Sequence, residues 1–448
     1  MFPLRFTRDV LFFQAVPDLS PTELQGVIDQ LLAARERTLV HRSVSSLLSS
    51  LDRVVFLWLD PSSSERRQAE AALPAETGLS AEMIRHTLPL IFQEYRAERL
   101  ATLLCDELGD PSALDRFVPV QGGRRKAYGP TLITQVLAGN LPGAGLDSVI
   151  FALLVKSATL VKASSSEPLL PTLFARSLAR VDPDLGACLA VVTWPSGNSA
   201  LEEVAFARAE VVLASGADET LTAIRSRVRG KFIGYGHKVS FSLIGREALA
   251  DATDLAQRAA YDVALFDQRG CLSPQVVYVE DGGVVTPQEF AALLAQALQQ
   301  WQTVLPRGHV TPEESAAIHR VRDEAEWRAL AGDTVVLHAS TAGTAWSVLY
   351  EANQTFVPTP LHRTVRVKPL ASLAQLGPLL ASWRLHLEAV GLAVAPGRLT
   401  EAADLLGQAG VSRICPLGVM QTPPLSWRHD GRPRLADLVR WVGVEGQC

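Results

Sequence analysis

Apolar residues recur at helical spacing from residue 20 to about residue 108, as in LQGVIDQLLAARERTLV. Ser20 before Pro21, and Ser80 further on, are the expected N-terminal caps, because a hydroxyl there accepts a free first-turn N–H. A mostly helical lead-in is predicted. The pattern loosens around Gly122 and Gly123, which marks a turn or the entry to a new unit. From residue 130 to 245 the period changes: LITQVLA and a helix from Leu146, TLVKA and a helix from Pro168, LAVVTW and a helix from Ser199, EVVLAS and a helix from Asp218. This alternation predicts a parallel sheet wrapped by crossover helices, a class that binds nucleotides at the carboxyl ends of its strands. One long helix is expected over residues 246–268, then Cys271, the strand QVVYVED, and mixed α/β structure to about residue 414. The tail, residues 415–448, is rich in Pro, Trp and Arg and is expected to end in a short helix.

Composition narrows the class. A chain of 448 residues that is 48% hydrophobic and 20% charged has ample core for two or three domains. A net charge of -5, with no dense Lys/Arg tract, argues against nucleic acid as the main partner and for a small-molecule site. The five cysteines (Cys105, Cys188, Cys271, Cys415, Cys448) are odd in number, scattered and without CxxC spacing, so they read as reduced thiols of a cytoplasmic protein. Nine histidines include no HExxH or other ligand-spaced pair, and no metal is expected. The opening MFPLRFTRDVLFF lacks the apolar core and cleavage site of a secretory signal. The apolar stretch 146–161 is broken by Asp147 and Lys156 and reads as a buried helix and strand, not a membrane span.

Two windows carry candidate chemistry. In FDQRGCLSPQ, Cys271 follows a glycine at a helix-to-strand junction, where a nucleophile is presented to a bound substrate; the same position also suits a buried structural cysteine. In AGNLPGAGLDS, between a strand and a helix, the glycines match a GxGxxG fingerprint poorly, since Ser148 stands where the third would be. Asn140 in this window either closes a turn or offers its amide to a developing oxyanion.

GNLPG, LVKASSSEP, LASGADE and FDQRGC occur in the order and nearly the spacing of the aldehyde dehydrogenase superfamily, over roughly residues 118–448. CLSPQ and GVMQTPPLSWRHDG resemble more narrowly its acyl-CoA reductase branch, the LuxC type, which makes long-chain aldehyde from fatty acyl thioesters in bacterial bioluminescence. The resemblance implies an aldehyde-dehydrogenase-like α/β fold: a Rossmann-like nucleotide-binding domain with the helical lead-in (1–245), a catalytic domain (246–414), and a tail (415–448) packing on the first domain or a partner subunit. It implies Cys271 as nucleophile, Asn140 as oxyanion-hole amide, Lys162 at the adenosine ribose, and Gly216 and Ala217 as the small residues whose helix N-terminus receives the pyrophosphate. Ser165 falls where NAD-preferring members often keep a glutamate, which favours NADPH over NADH; Glu167 nearby is the carboxylate that would reverse this by turning in.

The ELGGK block that supplies a general base in hydrolytic members is GYGHK here, with Gly234 at the glutamate position, so acyl transfer should beat hydrolysis. His237 is a candidate proton donor or a hydrogen-bonded structural residue, and Trp427, His429 and Asp430 line either the substrate entrance or a subunit contact. Arg258 and Arg269 are expected to be solvated helix arginines. The expected activity is NADPH-dependent reduction of a fatty acyl-CoA or an acylated partner protein to aldehyde by a homo-oligomer. Reduction of an acyl phosphate and a non-catalytic acyl-binding subunit are the alternatives.

Overall fold

The computed structural model describes residues 19–341 and 343–446. The opening segment MFPLRFTRDVLFF and Cys448 lie outside these residues. Ser20 starts α1 (Pro21–Arg37): its hydroxyl accepts the Glu23 N–H at 3.2 Å and the Glu23 carboxylate accepts the Ser20 N–H at 2.8 Å, with Pro21 in the first turn. There follow α2 (Val44–Leu59), α3 (Ser64–Thr77), α4 (Ala81–Phe92), where Ser80 accepts the Met83 N–H at 3.1 Å, and α5 (Ala97–Leu108). Gly122, at φ +85°, turns β1 (Val118–Val120) into β2 (Gly123–Tyr128).

The alternation then runs as expected: β3 (Leu132–Val136), α6 (Leu146–Leu154), β4 (Ala158–Lys162), α7 (Leu169–Val181), the short α8 (Pro183–Gly186), β5 (Leu189–Val192), α9 (Ser199–Ala207), β6 (Val211–Ser215), α10 (Asp218–Arg225) and β7 (Lys231–Tyr235). Its five strands are parallel in the order β5-β4-β3-β6-β7. The chain moves outward from β3 and returns to the far side of β3, so the crevice at the carboxyl ends opens beside that strand. Adjacent strand residues point to opposite faces. Leu132 and Leu160 meet Leu24, Ile28 and Leu31 of α1, while Ile133 and Val161 share a core with α2, α4 and α5. The lead-in helices thus cover both faces of the sheet. At their centre Trp58 stacks on Phe92 at 4.4 Å, and its indole N–H donates to Ser177 of α7 at 3.0 Å.

The second sheet is built from β8 (Val239–Ile244), β9 (Pro274–Glu280), β10 (Val335–Ala339), β11 (Ser347–Glu351), β12 (Thr364–Leu370), β13 (Leu387–Ala393) and β14 (Arg413–Pro416), in the order β10-β11-β12-β9-β8-β13-β14. Only β10 and β11 pair antiparallel. α11 (Ala252–Ala264) and α12 (Pro287–Val304) cover one face, α14 (Leu376–Leu380) and α15 (Leu399–Ala409) the other, and α13 (Pro312–Leu330) packs beside β10. β8 precedes residue 245, the division read from the sequence, yet it hydrogen-bonds in this sheet; the change of sheet falls at residues 236–238.

Two expectations are corrected. The helix over 246–268 is three pieces: a 3-10 turn, α11, and a second turn in which Phe266, Asp267 and Gln268 take φ of +53°, +53° and +64°. The tail ends in β15 (Arg440–Glu445), which pairs antiparallel with β2, and only a 3-10 turn, Ala436–Leu438, remains of the expected helix. The waiting edge of β2 outweighs a weak helical period that contains Trp441, Val442 and Gly443. Among the described residues no helix is long and apolar enough to cross a membrane, and no group of three or more His, Cys, Asp or Glu is placed to hold a metal ion.

Candidate active site

The turn that breaks the long helix aims the chain at Cys271. A second run of left-handed residues, Leu361, His362 and Arg363, at φ of +67°, +53° and +63°, lies against it. Arg363 donates to Asp267 Oδ1 from Nε at 3.0 Å and Nη2 at 2.7 Å, and Asp267 Oδ2 accepts the Gly308 N–H at 2.9 Å. Gln268 accepts the Thr364 N–H at 2.9 Å and donates to the Thr364 and Pro274 carbonyls, both at 2.8 Å. Left-handed non-glycine residues cost about 1–3 kcal/mol each, so these six persist only because the buried bonds over-determine them. After Arg269 comes Gly270, in close packing: a Cβ would sit 2.9 Å from Gln421 Oε1 and 3.2 Å from Leu141 Cδ1, and those side chains would have to give way.

Cys271 is then held by its carbonyl, which accepts the Ser240 hydroxyl at 2.7 Å, while Ser240 Oγ accepts the Ala389 N–H at 3.1 Å. Cys271, a partly exposed residue, packs against the cluster of Leu272, Ala389 and Met420, as do Cys415 and Trp427. Burial pushes the Cys271 thiol up to about 12, and the charge of Glu388 adds to this; its own N–H, the Leu272 N–H and Lys238 pull the other way. Asn140, on the loop after β3, donates to the Arg269 carbonyl at 3.0 Å, two residues before the thiol. Arg269 itself leaves the helix and donates to the Thr77 carbonyl at 2.7 Å, which corrects its reading as a solvated helix residue; Arg258 is exposed and pairs with Asp254.

The tail closes over this loop. Tyr235 stacks on His429 at 4.3 Å and His429 on Trp427 at 4.7 Å, and burial brings His429 down to about 4, so the column holds a neutral imidazole. Asp430 pairs with Lys238. The carboxylate of Glu107 in α5 accepts the N–H groups of Arg434, Leu435 and Ala436 at 2.8, 2.6 and 2.8 Å. His237 is exposed; its N–H donates to Asp218 at 3.2 Å and its ring faces His386 at 6.3 Å, so the charged neighbours of the thiol are Lys238 and Glu388 instead. A Cβ at Gly234 would lie 2.8 Å from the Phe232 ring and 3.5 Å from Leu221, directions filled by the protein's own apolar side chains.

Lys162 stands apart from the thiol, at the end of β4, in a cavity of about 270 Å³ lined by Val136, Trp194, Glu202, Phe206 and Arg227 among others. Its ammonium has no hydrogen-bond or ion-pair partner among the described residues, and burial lowers its pKa against the pull of Glu202, which pairs with Arg227. Ser165 is exposed on the loop after β4. Glu167 is turned inward, where it accepts the Leu170 N–H at 2.8 Å at the start of α7 and burial raises it to about 7. Ala217 caps α10 without a side-chain bond, and a Cβ on Gly216 would meet nothing nearer than 3.9 Å. The space at that helix start is therefore not claimed by protein packing.

The sequence reading missed Ser240, Gln421, Lys238 and Glu388. For Glu388 a signal was present: an acid inside the apolar strand run LEAVGLA.

The profile of one protein family, described as acyl-CoA reductase (LuxC), matches residues 39–441. A long-chain acyl-protein thioester reductase of Aliivibrio fischeri is 26% identical over 425 residues, covering 91% of this chain and 83% of the relative. One of Photorhabdus laumondii is 24% identical over 446 residues, covering 96% and 87%. Among solved structures, an NAD-dependent benzaldehyde dehydrogenase from Corynebacterium glutamicum superposes with a TM-score of 0.71 at 16% identity, over 96% of this chain and 91% of that one. An NADP-dependent glyceraldehyde-3-phosphate dehydrogenase from Bacillus halodurans gives 0.72 at 13% identity, over 96% and 92%. At this identity the structural likeness establishes the aldehyde dehydrogenase fold and not the chemistry.

Proposed function

Because the chain belongs to the LuxC family of acyl-CoA reductases, we propose that it reduces a long-chain fatty acyl thioester to the aldehyde, with Cys271 carrying the acyl group and NADPH as electron donor. The observation that carries this reading is the construction around Cys271: a strained, buried double turn that delivers one partly exposed cysteine to a loop stapled to Asn140. A structural cysteine has no need of such support.

In this reading the Cys271 sulfur attacks the thioester carbonyl and the donor thiol leaves. The Cys271 N–H and the Asn140 amide hold the oxyanion, the latter by turning from the Arg269 carbonyl to the substrate. With Gly234 and Phe232 where a base would stand, no carboxylate there activates water, and the acyl-enzyme persists until it is reduced. His237 is assigned no part in the sulfur chemistry, since its neighbours are Asp218 and His386. The unpartnered Lys162 and its cavity fit an adenosine ribose, the α10 start with Gly216 and Ala217 fits a pyrophosphate, and Ser165, exposed on the loop after β4, would meet the 2′-phosphate. NADPH, when bound, supplies the hydride. The engagement of Glu167 at α7 supports NADPH over NADH, because that carboxylate is committed elsewhere. The names of the Aliivibrio and Photorhabdus relatives favour an acylated protein as donor, with acyl-CoA as the small-molecule equivalent.

Intact-protein mass spectrometry after mixing with acyl thioesters of varied length tests the reading. One acyl group should appear on Cys271, none in Cys271→Ala, and NADPH should discharge it as aldehyde. Acylation at another residue, or an active Cys271→Ala variant, overturns it.

A further inference from the structure

Glu388 is wholly buried in β13, an acid among apolar neighbours. The ladder between β13 and β8 shifts register there: Leu387 pairs with Val239 and Val390 with Phe241, so Glu388 and Ala389 together oppose the single residue Ser240. Such a bulge re-aims side chains, and bulges gather beside active sites. This one sits at the residue that holds the Cys271 carbonyl, and Ala389 packs in the cluster that contains Cys271. One carboxyl oxygen of Glu388, Oε1, accepts the Ser412 hydroxyl and the Asp430 N–H at 3.1 Å. The other, Oε2, is buried with no hydrogen-bond partner among the described residues.

Most buried acceptors in a folded protein are paired, so an unpaired carboxylate oxygen beside the thiol cluster calls for an explanation. The groups whose charge or hydrogen bonds act on this carboxyl are Lys238 and Asp430 from the linker and tail, Ser412 just before β14 and Arg413 in it, and its own charge in turn opposes ionisation of the Cys271 thiol. Lys238 is engaged by Asp430 and by the Leu385 carbonyl at 2.9 Å, so it is not a free proton carrier. The charge of Glu388 opposes loss of the thiol proton, so a thiolate forms most readily when that proton is passed to the carboxylate.

We propose that Glu388 is the proton acceptor for Cys271: its free oxygen takes the thiol proton as sulfur attacks the acyl thioester, and returns it to the departing thiolate. One S–C bond forms and one breaks, the proton ends on the leaving thiol, and no electron is transferred in this half-reaction. A proton from solvent restores the pair once aldehyde has left. The inference rests on Cys271 being the acylated residue.

Glu388→Gln keeps an oxygen for Ser412 and Asp430 and removes the exchangeable proton. With palmitoyl-CoA, quenched samples analysed by intact mass should show wild-type Cys271 acylation slowing as pH falls through the carboxyl's range. The variant should be slower by about 10²-fold at neutral pH and lose that limb. Alkylation of Cys271 by iodoacetamide in alkali should move the opposite way and be faster in Glu388→Gln, because a negative charge beside the thiol is gone; damaged packing has no reason to produce these opposite signs. Acylation in the variant within about threefold of wild type, with an unchanged pH profile, overturns the proposal. If Glu388→Gln does not fold, Glu388→Asp should retain the acid limb, and its loss there likewise overturns the proposal. Wild-type protein that gains no acyl group on Cys271 refutes the parent reading instead, before any variant is compared.

Discussion

Ser165 and Glu167 stand two positions apart on one loop, and their side chains have opposite fates. Glu167 is consumed by the first turn of α7, while Ser165 is exposed beside the β4 end where Lys162 waits. On the proposed function it is burial, not position in the loop, that leaves Ser165 and not Glu167 available to a cofactor ribose. Ser165→Glu should therefore weaken NADPH binding by about tenfold, or about 1.4 kcal/mol, through repulsion of the 2′-phosphate, and leave NADH binding level or tighter; fluorescence titration of the two nucleotides measures this. At this scale Cys271, Asn140, Lys162 and Ser165 stand out as candidates because each sits in a short motif at a strand or helix end. Glu388 shows in the sequence only as an acid inside an apolar strand, because its meaning depends on a bulge opposite Ser240 and on a thiol 117 positions earlier in the sequence.

Among the elements, the paired left-handed turns explain how a helix can stop seven residues before a thiol without a proline and still point it reproducibly. Asp267 and Arg363 are both buried, so removing one strands the other's charge. Arg363→Met should lower the unfolding free energy by about 3–5 kcal/mol in urea titration, and should slow Cys271 acylation in the fraction that remains folded. An unchanged midpoint would mean that the turns stand without the pair. The strand and helix alternation of the first sheet could be read from periodicity because its causes are local. The break at residues 265–268 could not, since what holds it is an arginine 96 residues further along the chain. The β15 strand escaped for the same reason: its partner is β2, and nothing in RWVGVE announces that edge.

On the scale of the whole molecule, the tail crosses back to stack His429 on Tyr235 and to pack Trp427 on the cluster that also receives Cys271. Glu107 anchors this return by accepting three successive amides. Glu107→Ala should raise amide hydrogen exchange over residues 427–436 and slow acylation, with the parallel sheets keeping their protection; exchange read by mass spectrometry separates the two regions. A tail as protected as in wild type would show that the aromatic column alone suffices. The anchoring amides lie 327 residues beyond Glu107, and β2 waits as long for β15. During synthesis on the ribosome, both the acid and the open strand edge are therefore made long before their partners, and the nascent chain carries an exposed template for mispairing that calls for chaperone cover until the tail arrives.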